Sequence, residues 1–482
     1  MKNIWTLLFL MCLLGISCKN AEESLRPNIV VIQCDDLGYG DLSSFGHPII
    51  QTPYLDQMGE DGIKLTNFYA AAPVCSPSRV GLLTGRSPNR AGVYDWIPAA
   101  KRRDDGRHLV HMQANETTIP ALLKKAGYAT CLSGKWHCNS VFNNKKQPQP
   151  NDFGFDHWFA TQNNARPTHE TPNNFVRNGK KVGTIEGFSC QIVTEEAINW
   201  LRSRTEQNPF YLHLTFHEPH EPVASPPNLV EKYLSKAENK NQAQYFANIE
   251  NIDLAVGKLM KYLKNNYGDN TLVVFSSDNG PETLNRYRKA FRSYGSSGNL
   301  KGMKLWTTEA GVKVPGFIQW LGQDTYKGTT DAVVSSLDYL PTFCQLAGVN
   351  LPDKTLDGQS MMSIIRTGKM KRDKPLLWCF YHALNKHMVA MRSGEWKMLS
   401  KLTIDEGYLE RFQNVHDGNE EMVKQATLVD FELYNIQNDP IESQELSQEH
   451  PEVFEDMKAQ LQLQYQELLD DSPVWARNKE NE

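Results

Sequence analysis

The chain has 482 residues, of which 40% are apolar and 22% charged, and its formal net charge is −5. That length exceeds what one small core holds, so two domains of ordinary soluble composition are expected. The mild acidity excludes a broad basic surface for nucleic acid but leaves room for a local basic pocket around an anionic substrate.

The chain opens as a targeting segment. Met1-Lys2-Asn3 supplies a positive start, and the apolar run Ile4 to Ile16 is too short for an ordinary membrane span but suits a signal-peptide core. It ends at Gly15-Ile16-Ser17-Cys18, which resembles a bacterial lipoprotein processing site. Residues 1–18 are therefore expected to be a lipoprotein-type signal peptide, and residues 19–25 a tether behind a lipid-bearing Cys18. Plain secretion with an incidental Cys18 is the alternative. Either reading implies export, and the first implies a bacterial periplasm or cell surface. No later stretch is long and apolar enough to span a bilayer. The other seven cysteines (Cys34, Cys75, Cys131, Cys138, Cys190, Cys344, Cys379) have neither paired zinc spacing nor the density of a disulfide scaffold.

Three apolar runs then end in polar clusters. Ile29-Val30-Val31-Ile32 leads to Asp35-Asp36, Phe210-Tyr211-Leu212-His213-Leu214 to His217-Glu218-Pro219-His220, and Leu272-Val273-Val274-Phe275 to Asp278-Asn279-Gly280. Short continuous runs of this kind predict strands buried on both faces. Helical patterns are read over Thr117 to Lys125 and Val193 to Arg202, the latter with Glu195 and Glu196 near its start. A third helix carries Ile249, Ile252, Val256, Leu259 and Leu263 on one stripe. This alternation predicts an α/β fold: a large, mostly parallel or mixed sheet sandwiched by helices, spanning residues 26–375. In such sheets ligands gather beyond the carboxyl ends of the strands, where the three clusters fall. From Leu376 the pattern changes to short strand-like runs, Leu376 to Phe380, Met388 to Met391 and Trp396 to Leu399, with a turn at Ser393-Gly394 and a final helix over Pro451 to Leu469. Residues 376–482 are thus expected to form a smaller antiparallel sheet plus helix.

Asp35, Asp36, Asp278 and Asn279 offer hard oxygen donors, the set that calcium or magnesium prefers over zinc. Either pair alone reads equally as a turn; two pairs at two strand ends point to a metal. Cys75 lies in Cys75-Ser76-Pro77-Ser78-Arg79, with no base close in sequence. On the residues alone it is a reactive cysteine beside Arg79 or a buried structural thiol.

Cys75-Ser76-Pro77-Ser78-Arg79 followed by Leu83-Thr84-Gly85-Arg86 resembles the signature of formylglycine-dependent sulfatases of the alkaline phosphatase superfamily. The resemblance extends over most of the chain. It takes in Arg26-Pro27-Asn28, Asp35 to Asp41, Gly134-Lys135-Trp136-His137, His217 to Pro222, Ser277 to Gly280, Lys304, Glu309, Gly311, Val314-Pro315, Leu433-Tyr434 and Pro440. It departs at Leu300-Lys301-Gly302-Met303-Lys304, where the family usually has glycine at 303 and often arginine at 301.

The resemblance implies a sulfuric ester hydrolase in which Cys75 is oxidised to an aldehyde by a formylglycine-generating or anaerobic sulfatase-maturating enzyme. It implies one calcium ion held by Asp35, Asp36, Asp278, Asn279 and residue 75, with magnesium the lesser choice. It further implies Asp278 as base toward the residue 75 diol, His220 as donor to the leaving group, and His137 as base for release of sulfate. Lys135 and Lys304 would hold the sulfate, and Arg79 would orient the diol. Read singly, the two lysines are surface residues and His137 a core histidine. His217 is structural or touches substrate. Turn-rich segments carrying Trp96, Arg166, His169, Glu170, Asn173, Asn174, Arg286 and Arg288 are expected at the pocket rim. An aromatic and several amides suit a sugar, so a sulfated carbohydrate is the expected substrate. The alternatives are a phosphate or phosphonate monoester hydrolase of the same superfamily and a glycan-binding lipoprotein without catalysis.

Overall fold

The computed structural model describes residues 26–99 and 106–476. The expected signal peptide, Cys18 and the tether lie outside the described residues, as does the stretch 477–482.

Eleven of the described strands build the main sheet. In chain order they are β1 (Asn28–Asp35), β2 (Ile63–Tyr69), β3 (Ala129–Lys135), β4 (His157–Thr161), β5 (Val176–Arg177), β6 (Lys180–Lys181), β7 (Phe210–Pro219), β8 (Thr271–Ser277), β9 (Lys313–Leu321), β10 (Gly328–Thr330) and β11 (Val334–Ser335). Their order across the sheet is β10-β2-β9-β8-β1-β7-β3-β4-β5-β6, with β11 also pairing β2. The centre, from β8 to β4, is parallel, and β9 enters antiparallel between β8 and β2. The sheet is mixed and mostly parallel at its core, as the alternation of runs and stripes predicts.

β1 explains why its run is apolar throughout. Ile29 and Val31 turn to one face and pack with Val80, Leu83, Tyr339 and Phe343. Val30, Ile32 and Cys34 turn to the other and pack with Val193, Ile198, Ile252 and Val256. A strand with a helical layer on each side has no solvent face, so the period-2 polar alternation disappears.

The stripe at Ile249 to Leu263 lies on the helix Lys240–Tyr267, and all five of its apolar residues are buried. Two helix starts differ from expectation. The helix expected from Thr117 is Ile119–Lys125, because Thr118 caps it, its Oγ1 accepting from the Ala121 amide at 3.4 Å. The helix expected from Val193 begins earlier, at Ser189, and ends at Ser203. Glu195 and Glu196 therefore sit in its middle, where they pair with Lys258 and Arg202 and with Arg177. The negative charge at its start comes instead from β7: the Glu218 carboxylate accepts the Cys190 amide at 2.8 Å and the Ser189 hydroxyl.

The C-terminal sheet is antiparallel, in the order β12 (Leu376–Cys379), β13 (Val389–Ser393), β14 (Trp396–Leu402) and β15 (Leu428–Asn435). β15 is not read as a strand from the sequence. Its pattern is broken at Asp430, which takes a left-handed φ of 50° where the register against β14 shifts. The helix Pro451–Asp470 covers this sheet through Met457, Leu461, Tyr465 and Leu468. Tyr69 and Val312 of the first sheet's elements pack with Trp378, Ala390 and Leu399 of the second, and the Trp378 indole donates to the Ala70 carbonyl at 2.9 Å. No helix among the described residues is long and apolar enough to cross a membrane.

Candidate active site

β1, β3, β7 and β8 deliver their last residues to one end of the sheet. Asp35 ends β1, Lys135 ends β3, His220 follows β7, and Asp278 with Asn279 follows β8. The strands come close there. Gly134, at φ +122°, has so little room that a Cβ would stand 1.7 Å from the Thr215 carbonyl oxygen on β7. Asp36 and His137 both take left-handed backbone, with φ of 68° and 54°. Such conformations are uncommon for residues other than glycine and gather at functional sites.

Opposite these strand ends lies the helix Cys75–Thr84, with Cys75 as its first residue. Its amino end points positive dipole at the cluster. One turn on, Arg79 is 2% exposed and grips Asp278 Oδ2 through Nε at 2.9 Å and Nη2 at 2.8 Å. Its Nη1 donates to the Lys135 carbonyl at 3.2 Å. Spacing of four along the helix sets Cys75 and Arg79 on one face.

Three carboxylates and three cations meet in this volume. Lys135 Nζ lies 2.5 Å from Asp35 Oδ2, and Lys304 Nζ lies 2.7 Å from Asp36 Oδ1. Donor atoms of Asp35, Cys75 and Asp278 all fall within 4.8 Å of one another, as do those of Asp36, Cys75 and His220. Asn279 donates to Asp36 Oδ1 at 2.7 Å, which turns its own Oδ1 inward. Asp35 Oδ1 and Asn279 Oδ1 are buried without a hydrogen-bond partner. A hard divalent cation fits this donor set, since it would satisfy both orphaned oxygens and relieve the carboxylate repulsion.

Electrostatics follow from burial and these partners. Burial alone would raise Asp35, but Lys135, His220, Arg79 and Lys304 outweigh it and hold the carboxyl well below its ordinary range. Asp278 is pushed up to about 7 by burial and by Asp35, against Arg79 and Lys135. Burial pushes the Cys75 thiol up to about 12, although Lys135 and Lys304 pull the other way. The two histidines differ in orientation. His137 Nε2 faces the Ile97 carbonyl at 2.9 Å, so that nitrogen carries the hydrogen and Nδ1, which has no partner, keeps its lone pair. Burial, Lys135 and Arg79 hold His137 well below its usual pKa, which leaves it a neutral base. His220 donates from Nδ1 to the Glu221 carbonyl at 2.6 Å, and its Nε2 lies 3.6 Å from Asp36 Oδ2.

The expected rim residues divide. Trp96 is half-buried beside the Cys75 cluster, its ring 4.2 Å from the Arg107 guanidinium carbon. Arg166, Glu170, Asn173 and Arg288 are exposed, and Asn174 is half-buried. The loop carrying Arg166, Glu170, Asn173 and Asn174 runs beside His220, since Asn164 donates to the Glu221 carbonyl at 2.9 Å. Arg286 is held by both Glu282 oxygens at 2.5 Å. His169 has no accessible surface and so stands behind the rim instead of on it, next to Glu218 at 3.9 Å and Asn248 at 3.3 Å. His217 is buried as well, bonded to Thr161 Oγ1 at 2.8 Å with its ring edge-on to Phe175. Sequence reasoning missed His382 of the C-terminal sheet's loop, whose Nδ1 lies 3.6 Å from buried Asp95 beside Trp96. It also missed Phe380 and Ala383, which pack against Cys75.

The family model described as Sulfatase matches residues 27–349, and one described as N-sulphoglucosamine sulphohydrolase, C-terminal, matches residues 303–469. Human N-acetylgalactosamine-6-sulfatase is 31% identical over 383 residues, which cover 76% of this chain and 70% of that protein. Human arylsulfatase A is 31% identical over 394 residues, covering 77% of this chain and 74% of its own. Among solved structures, that of Ps i-CgsB in complex with k-i-k-neocarrahexaose matches with a TM-score of 0.76 at 26% identity, covering 95% of this chain and 96% of that one. The chain belongs to the sulfatase family, with its alkaline-phosphatase-like fold and its sulfuric ester hydrolase activity.

Proposed function

We propose that this enzyme removes sulfate from a sulfated carbohydrate, with a formylglycine made from Cys75 as nucleophile and one calcium ion as cofactor. The observation that carries this reading is the convergence of Cys75 with Asp35 and Asp278 on one side and Asp36 and His220 on the other. The saccharide rests on relatives named for a sugar sulfate or solved with a carbohydrate bound.

Asp35, Asp36, Asp278, Asn279 and residue 75 would hold the ion, which supplies fixed positive charge that neutralises the sulfate and lowers the pKa of a neighbouring hydroxyl. Asp278 takes the proton of one hydroxyl of the hydrated residue 75 aldehyde, and Arg79 keeps that acid oriented. The hydroxyl oxygen bonds to sulfur while the bond from sulfur to the sugar oxygen breaks, and His220 delivers a proton to that oxygen. Lys135 and Lys304 exchange their carboxylate partners for the sulfate oxygens as charge moves. His137 Nδ1 then takes the proton of the second hydroxyl, the carbon–oxygen double bond re-forms, and sulfate leaves. Water restores the diol.

Mass spectrometry of the natively produced protein should find residue 75 as the aldehyde, and an unaltered thiol in active material would sink the scheme. Aryl sulfate should be turned over orders of magnitude faster than aryl phosphate; the reverse would assign a phosphate or phosphonate esterase. Chelation should abolish turnover, with calcium restoring more of it than magnesium. A screen of defined sulfated mono- and disaccharides identifies the sugar, and binding without sulfate release would favour a non-catalytic glycan-binding lipoprotein. The N-terminal sequence supports export as a periplasmic or cell-surface lipoprotein, so Cys18→Ala should shift the protein from the membrane fraction to the soluble one.

A further inference from the structure

A cleft of about 1080 Å³, lined by none of the catalytic residues, opens between the main sheet and the C-terminal sheet. Its floor carries Lys313, the first residue of β9, which is only 7% exposed. The Lys313 ammonium lies 5.2 Å from the centre of the Tyr39 ring, and its nearest carboxylate oxygen, Glu309 Oε2, is 3.9 Å away. That oxygen already accepts the Tyr69 hydroxyl at 2.6 Å. Arg392 of β13, 5% exposed, also lines the cleft. It donates Nε to the Gly394 carbonyl at 3.1 Å and Nη1 to the Tyr69 hydroxyl, and its Nη2 has no acceptor among the described residues.

The charges beneath the cleft do not balance. Lys313, Arg392 and Lys397 meet only Glu309 and Glu442, because Lys397 lies between those two carboxylates at 2.9 and 3.2 Å. One buried positive charge is in excess, in a place where an unpaired ion is costly. The rim is different: Lys371, Arg372 and Lys374 stand with Asp331, Asp373 and Glu395, three charges of each sign. A polar, near-neutral rim around one cationic spot suits neutral hydroxyls arranged about a single anionic group.

We propose that this cleft is a second sulfate site, separate from the catalytic pocket, that anchors a sulfate ester of a saccharide on Lys313 and Arg392. The saccharide as source of the sulfate rests on the proposed function; the oxyanion chemistry does not. Free sulfate has the same chemistry, so the two sources are separated by measurement.

Calorimetric titration of the Cys75→Ala protein with a sulfated oligosaccharide should find two sites. Lys313→Met should weaken one of them about tenfold or more, as expected for losing a hydrogen bond to a charged group. Lys304→Met should remove the other. With Cys75 intact, Lys313→Met should hydrolyse a small aryl sulfate as the parent does. A single site in the parent, or two unchanged sites in folded Lys313→Met, overturns the proposal. Inorganic sulfate binding the Lys313 site as tightly as the oligosaccharide would support the site and overturn its saccharide source. Should Lys313→Met fail to fold, crystals of the parent soaked in selenate decide: anomalous density at Lys313 supports the site, and its absence overturns it. Failure of the proposed function would register separately, as missing aryl sulfate turnover with the binding count unchanged.

Discussion

Asp36 and His137 hold left-handed backbone only because their neighbours fix them. The Asp36 amide donates to Asp278 Oδ1 at 3.2 Å, and the His137 amide to the Gln162 carbonyl at 2.8 Å. Each such residue stores roughly 1–3 kcal/mol, offset by packing elsewhere. Side chains aimed this way act with little rearrangement, so their loss should show in rate more than in fold. Cys75→Ala should abolish turnover with an unchanged melting temperature, read by calorimetry. His220→Ala should slow esters with poor leaving groups roughly 10²–10⁴-fold and activated aryl sulfates far less. Equal losses on both would assign His220 another task. Asp35, Asp36, Asp278 and Asn279 were legible as a set because each pair follows an apolar run directly. Asp95 and His382 were not, because they meet only when a loop of the first domain touches a loop of the second.

The strands and helices set those side chains with small tolerances. Gly134 is the clearest case, and no composition or period marks it: its need for glycine comes from β7 passing behind it. Gly134→Ala should cost roughly 2–4 kcal/mol from the clash and the strained φ together. Turnover should fall further than stability alone accounts for, since Lys135 is the next residue. Denaturant unfolding and kinetics on one preparation separate the two effects. Apolar runs and stripes announced the elements' existence, but their ends were decided by partners far away in sequence. Glu218 on β7 starts the helix at Ser189, and Asp430 bends β15 out of any readable alternation.

At the scale of the molecule, two sheets are joined by a buried polar junction in which Lys397 lies between Glu309 and Glu442. Lys397→Met should cost roughly 3–5 kcal/mol by leaving Glu442 without its cation, and adding Glu442→Gln should restore most of it, since Glu309 keeps Lys313 at 3.9 Å. Burial would raise Glu309, but Lys397, Lys313 and Arg392 outweigh it and lower it from 4.5 to about 2. The folded form therefore binds that proton less readily than the unfolded chain. The stability it contributes is full above 4.5 and fades as pH falls toward about 2. Glu442 is raised by burial and acts in the opposite sense, so Glu309→Gln should flatten the acid limb of the stability curve while Glu442→Gln should not. None of this was visible in the sequence, where Glu309 stood out only by its place in a motif.

Residue 75 is 3% exposed, walled in by Val74, Leu305, Phe380 and Ala383. Its last two neighbours are about three hundred residues downstream, so the wall is finished late in synthesis. If residue 75 is oxidised as proposed, a maturating enzyme, far bulkier than a sulfate group, would act on this sulfur before the wall is complete. The proposed oxidation would then compete with folding, and refolded protein exposed to the maturating enzyme should gain less aldehyde than protein made in its presence.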